Sequence, residues 1–303
     1  MDSETVAPEI EYYEHEINSG GARIVLSAWA RPQPVASLVF IPATMVHPLI
    51  YEPMLNCLAN ADFAVFGLHP VGHGKSARDV KRYTINDIVQ NGRDAVTFAL
   101  ERYKLPVVVM GSSQGGLVAA ALASVDDRVS VVFAHNLMLS EIPDSIGVSR
   151  FPMWIRHIYR PFLCLLRMSA RLFPDVQVPL KFYLDRSRIS HNSKFWEAVE
   201  RDILSISRYS LWFLTSLLTT RFPGLTNGAI KCPVYILIDT GDKLFTEAYM
   251  QKVYDRVAAP YKEMVAFNFS DHMIMVTNPH EVCEKVIGKI KEALGLPQDG
   301  AAD

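Results

Sequence analysis

The sequence predicts an α/β protein: a mostly parallel central sheet flanked by helices, with a helical insertion. Two observations carry that prediction. Short, continuous Val/Ile/Phe runs, which suit strands covered on both faces, alternate with longer stretches of helical periodicity. One such run, Pro106-Val107-Val108-Val109-Met110, leads straight into Gly111-Ser112-Ser113-Gln114-Gly115, and a helix-like run, Gln114–Ala123, leads out of it.

Taken in order, Ile24–Ala30 and Ala36–Ile41 read as the first two strands and Phe63–Leu68 as the third. Thr84 then caps a helix with Asp87 in its first turn, and Ile85, Ile88, Val96, Ala99 and Tyr103 recur on one face. Pro106–Met110, Val129–Ala134, Pro233–Ile238 and Met264–Phe269 supply further strands. Asn278-Pro279-His280-Glu281 combines an N-cap, a proline at the first helical position and an acid in the first turn. The helix it opens is predicted to reach Leu294, and the tail Pro297–Asp303 is expected to be loose.

From about Leu137 to Ile230 the alternation stops. Trp154–Met168 is rich in aromatics and arginine, and Tyr209–Leu218 is almost wholly apolar. Residues 137–230 are therefore expected to form a helical cap, inserted into a core built from residues 1–136 and 231–303. A chain of 303 residues suits one large domain with such an insertion.

Composition excludes several classes. Half the residues are hydrophobic, enough for a sizeable core. A formal net charge of −2 offers no basic face to nucleic acid. Cys57, Cys164, Cys232 and Cys283 form no C-x-x-C pair, so no zinc or other metal site is expected. Each lies in an apolar run and is expected to be a reduced, buried thiol. The acidic, polar start is unlike a signal peptide, and no uncharged stretch of ~18 residues is present to span a bilayer. The cytoplasm is the expected location. The sequence carries no signal for an oligomeric state.

Strand, sharp turn and helix around G-x-S-x-G make a nucleophile elbow, with the Oγ of Ser113 projecting free of the sheet. Ser112 occupies the variable position, and its side chain should point elsewhere. A serine hydroxyl needs a base to take its proton, and the base needs a third group to hold its tautomer. His272, just beyond the strand Met264–Phe269 and before the last helix, is the candidate base. Two acids follow the strand Pro233–Ile238. Asp242 lies in the loop and is preferred; Asp239, at the strand end, suits a turn-forming role.

The order Ser113, Asp242, His272, each after a strand, resembles the α/β-hydrolase family over roughly Val25 to Leu294. Gly72-His73-Gly74-Lys75-Ser76 is similar to that family's G-H-G-x-S turn, and Tyr51-Glu52-Pro53-Met54-Leu55 to the W-x-x-L stretch opening its first helix. The resemblance implies the α/β-hydrolase fold, a lid where the cap falls, acyl-enzyme chemistry and no cofactor. It also implies an oxyanion hole made by the backbone N–H groups of Thr44 and Gln114. The chain departs from the family at two places. Pro42-Ala43 stands where His-Gly is usual, which narrows the backbone choices near Thr44. His69 stands where an acid is usual, and a packing or hydrogen-bonding role is expected for it.

A serine at the elbow disfavours dehalogenase and epoxide hydrolase chemistry, in which relatives use an aspartate. The layout looks like the branch holding lysophospholipases, monoacylglycerol lipases and carboxylesterases. Phe162 and Trp212 of the cap are expected to wall an apolar pocket, so the expected substrate is a small hydrophobic ester. Arg156, Arg160 and Arg167 admit two readings: a solvated face, or transient contact between the cap and an anionic membrane or lipid surface. Acyl thioester cleavage and non-catalytic binding of a hydrophobic ligand are the alternatives, and the complete Ser/His/Asp set favours hydrolysis over binding.

Overall fold

The computed structural model describes residues 9–80 and 82–298. Residues 1–8 of the acidic start and 299–303 of the expected loose tail lie outside the described residues. In chain order the elements begin with β1 (Glu11–Ser19), β2 (Ala22–Ala30), β3 (Ala36–Ile41), α1 (Glu52–Asn60), β4 (Phe63–His69), α2 (Ile85–Tyr103), β5 (Val107–Ser112), α3 (Gln114–Ala123) and β6 (Val129–His135). Next come α4 (Tyr159–Leu172), β7 (Gln177–Pro179), α5 (Arg186–Ile189), α6 (Ser193–Arg201), β8 (Arg208–Ser210) and α7 (Leu211–Thr219). Then follow β9 (Val234–Asp239), α8 (Glu247–Arg256), β10 (Lys262–Phe267), α9 (Ile274–Thr277) and α10 (Pro279–Leu294).

Eight strands form one sheet in the order β1-β2-β4-β3-β5-β6-β9-β10. β2 pairs antiparallel with both β1 and β4, and every other pairing is parallel. This is the predicted fold class. β3, β4 and β5 are buried along their whole length, as their unbroken apolar runs require. β1 is a strand the apolar pattern does not predict. It is a mostly exposed, charge-rich edge, a composition that discourages pairing with other chains. β10 begins at Lys262 and ends at Phe267, so Asn268 and Phe269 fall in the loop beyond it.

Helix starts follow the sequence signals. The Asp87 carboxylate accepts hydrogen bonds from both the N–H and the hydroxyl of Thr84, each at 2.7 Å. α10 starts at Pro279 and stops at Gly295, which takes a left-handed conformation.

The stretch between β6 and β9 holds more than helices. A 3-10 turn, Met153–Ile158, precedes α4, and β7 pairs antiparallel with β8. Ile146, Ile155, Tyr159 and Leu163 form a small cluster of their own. Tyr183, Phe195, Tyr209 and Phe213 join the main core instead. On the outer face of α4, Leu165, Met168 and Leu172 are exposed beside Arg160 and Arg171. Among the described residues no helix is long and apolar enough to cross a membrane.

The cysteines depart from the expectation of four reduced, buried thiols. Cys57 on α1 and Cys283 on α10 form a disulfide where those helices pack, with their Cα atoms 6.4 Å apart. Cys164 is exposed because α4 turns its neighbour Leu163 inward. Cys232 is a buried free thiol, and burial pushes it up to about 11.

Candidate active site

Ser113, Gln114, Thr44, Asp242 and His272 all lie past the carboxyl ends of parallel strands, where α/β sheets gather their binding clefts. β5 ends at Ser112 and α3 starts at Gln114; Ser113 between them has φ 54° and ψ −112°. That backbone is strained for a residue with a side chain. It is held by a 2.8 Å hydrogen bond from the Ser113 N–H to the carbonyl of His135. A methyl group on Gly111, Gly115 or Gly116 would overlap the backbone of Gly115, Ile41 or His135 respectively, so the turn admits no side chain at those positions. The Oγ of Ser112 lies 3.3 Å from His135 Nδ1, away from the cleft.

His272 Nδ1 donates to Asp242 Oδ2 at 2.8 Å, and both side chains are buried. Asp242 Oδ1 accepts the N–H groups of Leu244 and Phe245 at 2.6 and 3.0 Å. Burial alone would raise this carboxyl. The imidazole beside it and the two backbone donors outweigh that and pull it down to about 2. The Phe245 ring stacks on His272 at 5.4 Å. With its Nδ1 hydrogen given to Asp242, His272 leaves Nε2 as an acceptor. Ser113 and His272 line the same cleft, with no Ser113 Oγ–His272 hydrogen bond among the described residues. Such bonds are often long before substrate arrives.

Asp239 has a different set of partners. It accepts the N–H groups of Gly241, Phe269 and Ser270 at 2.9, 2.5 and 2.9 Å. It thereby ties the loop bearing Asp242 to the loop bearing His272.

Thr44 follows β3, and its Oγ1 donates to Gln114 Oε1 at 3.2 Å, joining the two candidate donor residues by their side chains. The loop around Thr44 is held from the stretch before β9. The Met45 N–H donates to Tyr209 Oη at 3.1 Å, its carbonyl accepts the Ile206 N–H at 2.9 Å, and His47 pairs with Asp202 at 2.5 Å. Met45 itself sits at φ 71°. His69 serves the G-H-G-x-S turn: Nδ1 accepts the Lys75 N–H at 3.1 Å and Nε2 lies 3.1 Å from Ser27 Oγ. Burial pushes its imidazole down to about 3. A methyl group on Gly74 would overlap that ring.

The cleft over Ser113 is lined by Phe151, Phe162, Leu163, Phe195, Trp196, Leu217 and other mostly apolar side chains, and among the described residues by no Asp, Glu, Lys or Arg. Phe162 is therefore in the wall. Trp212 is not. It faces a separate depression with Thr84, Arg167 and Thr215, because α7 turns Phe213, Leu214 and Leu217 inward and leaves the preceding residue on another face. Sequence reasoning also missed Asn136, fully buried at the end of β6 and within 2.8 Å of Asp242. Its signal was present: His135-Asn136 closes an otherwise apolar strand at the end where sites gather.

Solved structures that share this fold include a monoacylglycerol lipase from Paleococcus ferrophilus. It is 18% identical with a TM-score of 0.70, covering 93% of this chain and 99% of that one. A soluble variant of monoglyceride lipase from Saccharomyces cerevisiae, in complex with a substrate analog, is 15% identical with a TM-score of 0.74, covering 97% and 98%. A loop variant of a haloalkane dehalogenase from Bradyrhizobium elkanii is 12% identical with a TM-score of 0.63, covering 94% and 98%. At such identities the likeness is one of fold, and these neighbours differ in chemistry. No protein of curated function matches the sequence. The model of one family, described as serine aminopeptidase, S33, matches residues 32–278, and the chain belongs to that family of α/β-hydrolases.

Proposed function

We propose that this chain is a serine hydrolase that cleaves a carboxylic ester bearing a hydrophobic acyl or alkyl group. The observation that carries the reading is Ser113 on a strained elbow, in one cleft with a His272 whose Nδ1 is bonded to buried Asp242 at 2.8 Å. In this mechanism Ser113 Oγ attacks the ester carbonyl carbon as His272 Nε2 takes its proton. The carbonyl oxygen becomes an oxyanion that accepts from the N–H groups of Thr44 and Gln114. His272 returns the proton to the departing alcohol, leaving an acyl-serine. Water, deprotonated by the same nitrogen, then releases the acid and restores Ser113.

The cleft favours an ester over a peptide. An aminopeptidase must recognise a substrate ammonium, which calls for a carboxylate, and among the described residues no Asp or Glu lines this cleft. The apolar walls suit an acyl chain, with residues 137–230 acting as a cap that roofs it. Two of the neighbours by fold are named as lipases of monoacylglycerols, which supports the same substrate class. The exposed leucines and arginines of α4 would let the cap meet an anionic lipid surface.

A fluorophosphonate probe and p-nitrophenyl esters of rising chain length, beside acyl-CoA thioesters, test the proposal. The wild-type protein is expected to be labelled and to prefer medium-chain oxygen esters. Ser113→Ala is expected to remain folded, unlabelled and inactive. Labelling that survives Ser113→Ala would remove the serine mechanism; preference for acyl-CoA would move the substrate to the thioester class.

A further inference from the structure

Asn136 adopts φ 59°, a left-handed backbone that asparagine tolerates better than most residues, and it is fully buried. Its Nδ2 lies 2.8 Å from Asp242 Oδ2, 2.9 Å from His135 Nε2 and 3.1 Å from His272 Nδ1. An amide nitrogen has two hydrogens. His272 Nδ1 gives its own hydrogen to Asp242, so the two acceptors for Asn136 are Asp242 Oδ2 and His135 Nε2. Flipping the amide would set its oxygen against the carboxylate. Asn136 Oδ1 is left buried without a partner, so the donor end alone dictates the orientation.

The chain of contacts continues beneath the elbow. His135, accepting at Nε2, carries its hydrogen on Nδ1, which points to Ser112 Oγ at 3.3 Å. Burial, and His272 nearby, push this imidazole down to about 3, so it stays neutral at ordinary pH. Tyr51 Oη separately accepts the N–H of Ala43, the residue before Thr44, at 3.3 Å. Every side chain in this path is buried.

We propose that Asn136 is a positioning residue, whose amide fixes the Asp242 carboxylate in line with His272, with His135 and Ser112 bracing that amide from beneath the elbow. The inference rests on the proposed Ser/His/Asp mechanism. Leu244 and Phe245 occupy Oδ1 of Asp242, while His272 and Asn136 occupy Oδ2. A carboxylate held by all four donors cannot rotate. Without Asn136 one buried lone pair is orphaned, and Oδ2 is held by His272 alone, so the carboxylate is less firmly fixed against the imidazole. Asn136 does not line the cleft, so its loss should appear in kcat and leave KM alone.

Asn136→Gly removes the amide and keeps the left-handed backbone, which glycine adopts without strain. Kinetics with p-nitrophenyl octanoate, the rate of fluorophosphonate labelling and urea unfolding are measured on it, on Asn136→Asp, on Ser112→Ala and on Ser113→Ala. Folded Asn136→Gly is expected to lose at least tenfold in kcat and in labelling rate, with KM within twofold of wild type. Asn136→Asp, which sets an acceptor against the carboxylate, is expected to lose more. Ser112→Ala removes the partner of His135 Nδ1 at the end of the path and is expected to lose about threefold in kcat alone; it decides the matter if neither variant at 136 folds. A folded Asn136→Gly with kcat within twofold of wild type, or with KM alone changed, overturns the proposal. So does an unimpaired Ser112→Ala where the others do not fold. Turnover retained by Ser113→Ala would instead overturn the serine mechanism itself.

Discussion

Asp242 gives one carboxylate oxygen to His272 and Asn136 and the other to the backbone of Leu244 and Phe245, so both oxygens are engaged. Asp239, at the end of β9, spends both oxygens on backbone N–H groups. Asp242→Asn is expected to lower kcat on p-nitrophenyl esters by about three to four orders of magnitude, because an amide can favour the wrong His272 tautomer. Asp239→Asn should keep kcat within about tenfold and lose ~1–3 kcal/mol in urea unfolding, the range for a buried hydrogen bond broken at one side. The opposite ranking would reassign the acid. The placement of residues set by chain order was legible: Ser113 between strand and helix, Asp242 and His272 after strands. Asn136 was not, since nothing in its own identity distinguishes a turn-forming asparagine from one aimed at a carboxylate. Its role depends on β6 and β9 lying side by side, which is a tertiary fact.

At the scale of elements, α4 has two apolar faces. One turns Phe162 and Leu163 to the cleft, and the other exposes Leu165, Met168 and Leu172 among arginines. Phe162→Ala should lower the ratio of catalytic efficiency for octanoyl over acetyl esters by about tenfold, or ~1–3 kcal/mol, while Trp212→Ala leaves it unchanged. Leu165→Asp should leave that ratio alone and weaken co-sedimentation with phosphatidylglycerol vesicles. A ratio that ignores Phe162 would assign that ring to the small cluster of Ile146, Ile155, Tyr159 and Leu163. The run from Leu211 to Thr219 shows why Trp212 misled. It is apolar almost all round, so it has no polar stripe to say which side faces inward. β1 misled in the other direction, because an exposed, charged edge strand lacks the apolar alternation by which strands are recognised.

Across the whole molecule, burial holds three imidazoles far below their ordinary range: His69 and His135 at about 3 and His73 at about 4. Each binds a proton more weakly in the folded state than in the unfolded chain. Below about pH 6.5 the unfolded chain therefore takes up more protons, and stability falls as pH falls, until the folded values are reached. Each ring contributes a slope approaching ~1.4 kcal/mol per pH unit in that window. Asp242 is displaced in the same direction, downward, but from a lower starting value, so its contribution is lost only below about pH 4, toward 2. Urea midpoints are expected to drop steeply between pH 6.5 and 5, and less steeply in His69→Gln. A midpoint that stays level to pH 5 would mean these rings are protonated in the folded protein. The stretch between β6 and β9 has a further consequence. Its later part grips both working loops: Ile206, Tyr209 and Asp202 hold Met45 and His47, and the carbonyl of Ile189 accepts the N–H of His272 at 3.0 Å. Its earlier part gathers Ile146, Ile155, Tyr159 and Leu163 into a small cluster and is tied outward by Arg167, which donates to the Thr219 carbonyl at 2.8 Å, and by Asp144, which pairs with Lys252 of α8 at 2.9 Å. Displacing residues 189–209 would therefore move the loop of Thr44 and the loop of His272 together, so the two sides of the cleft answer to one segment of chain.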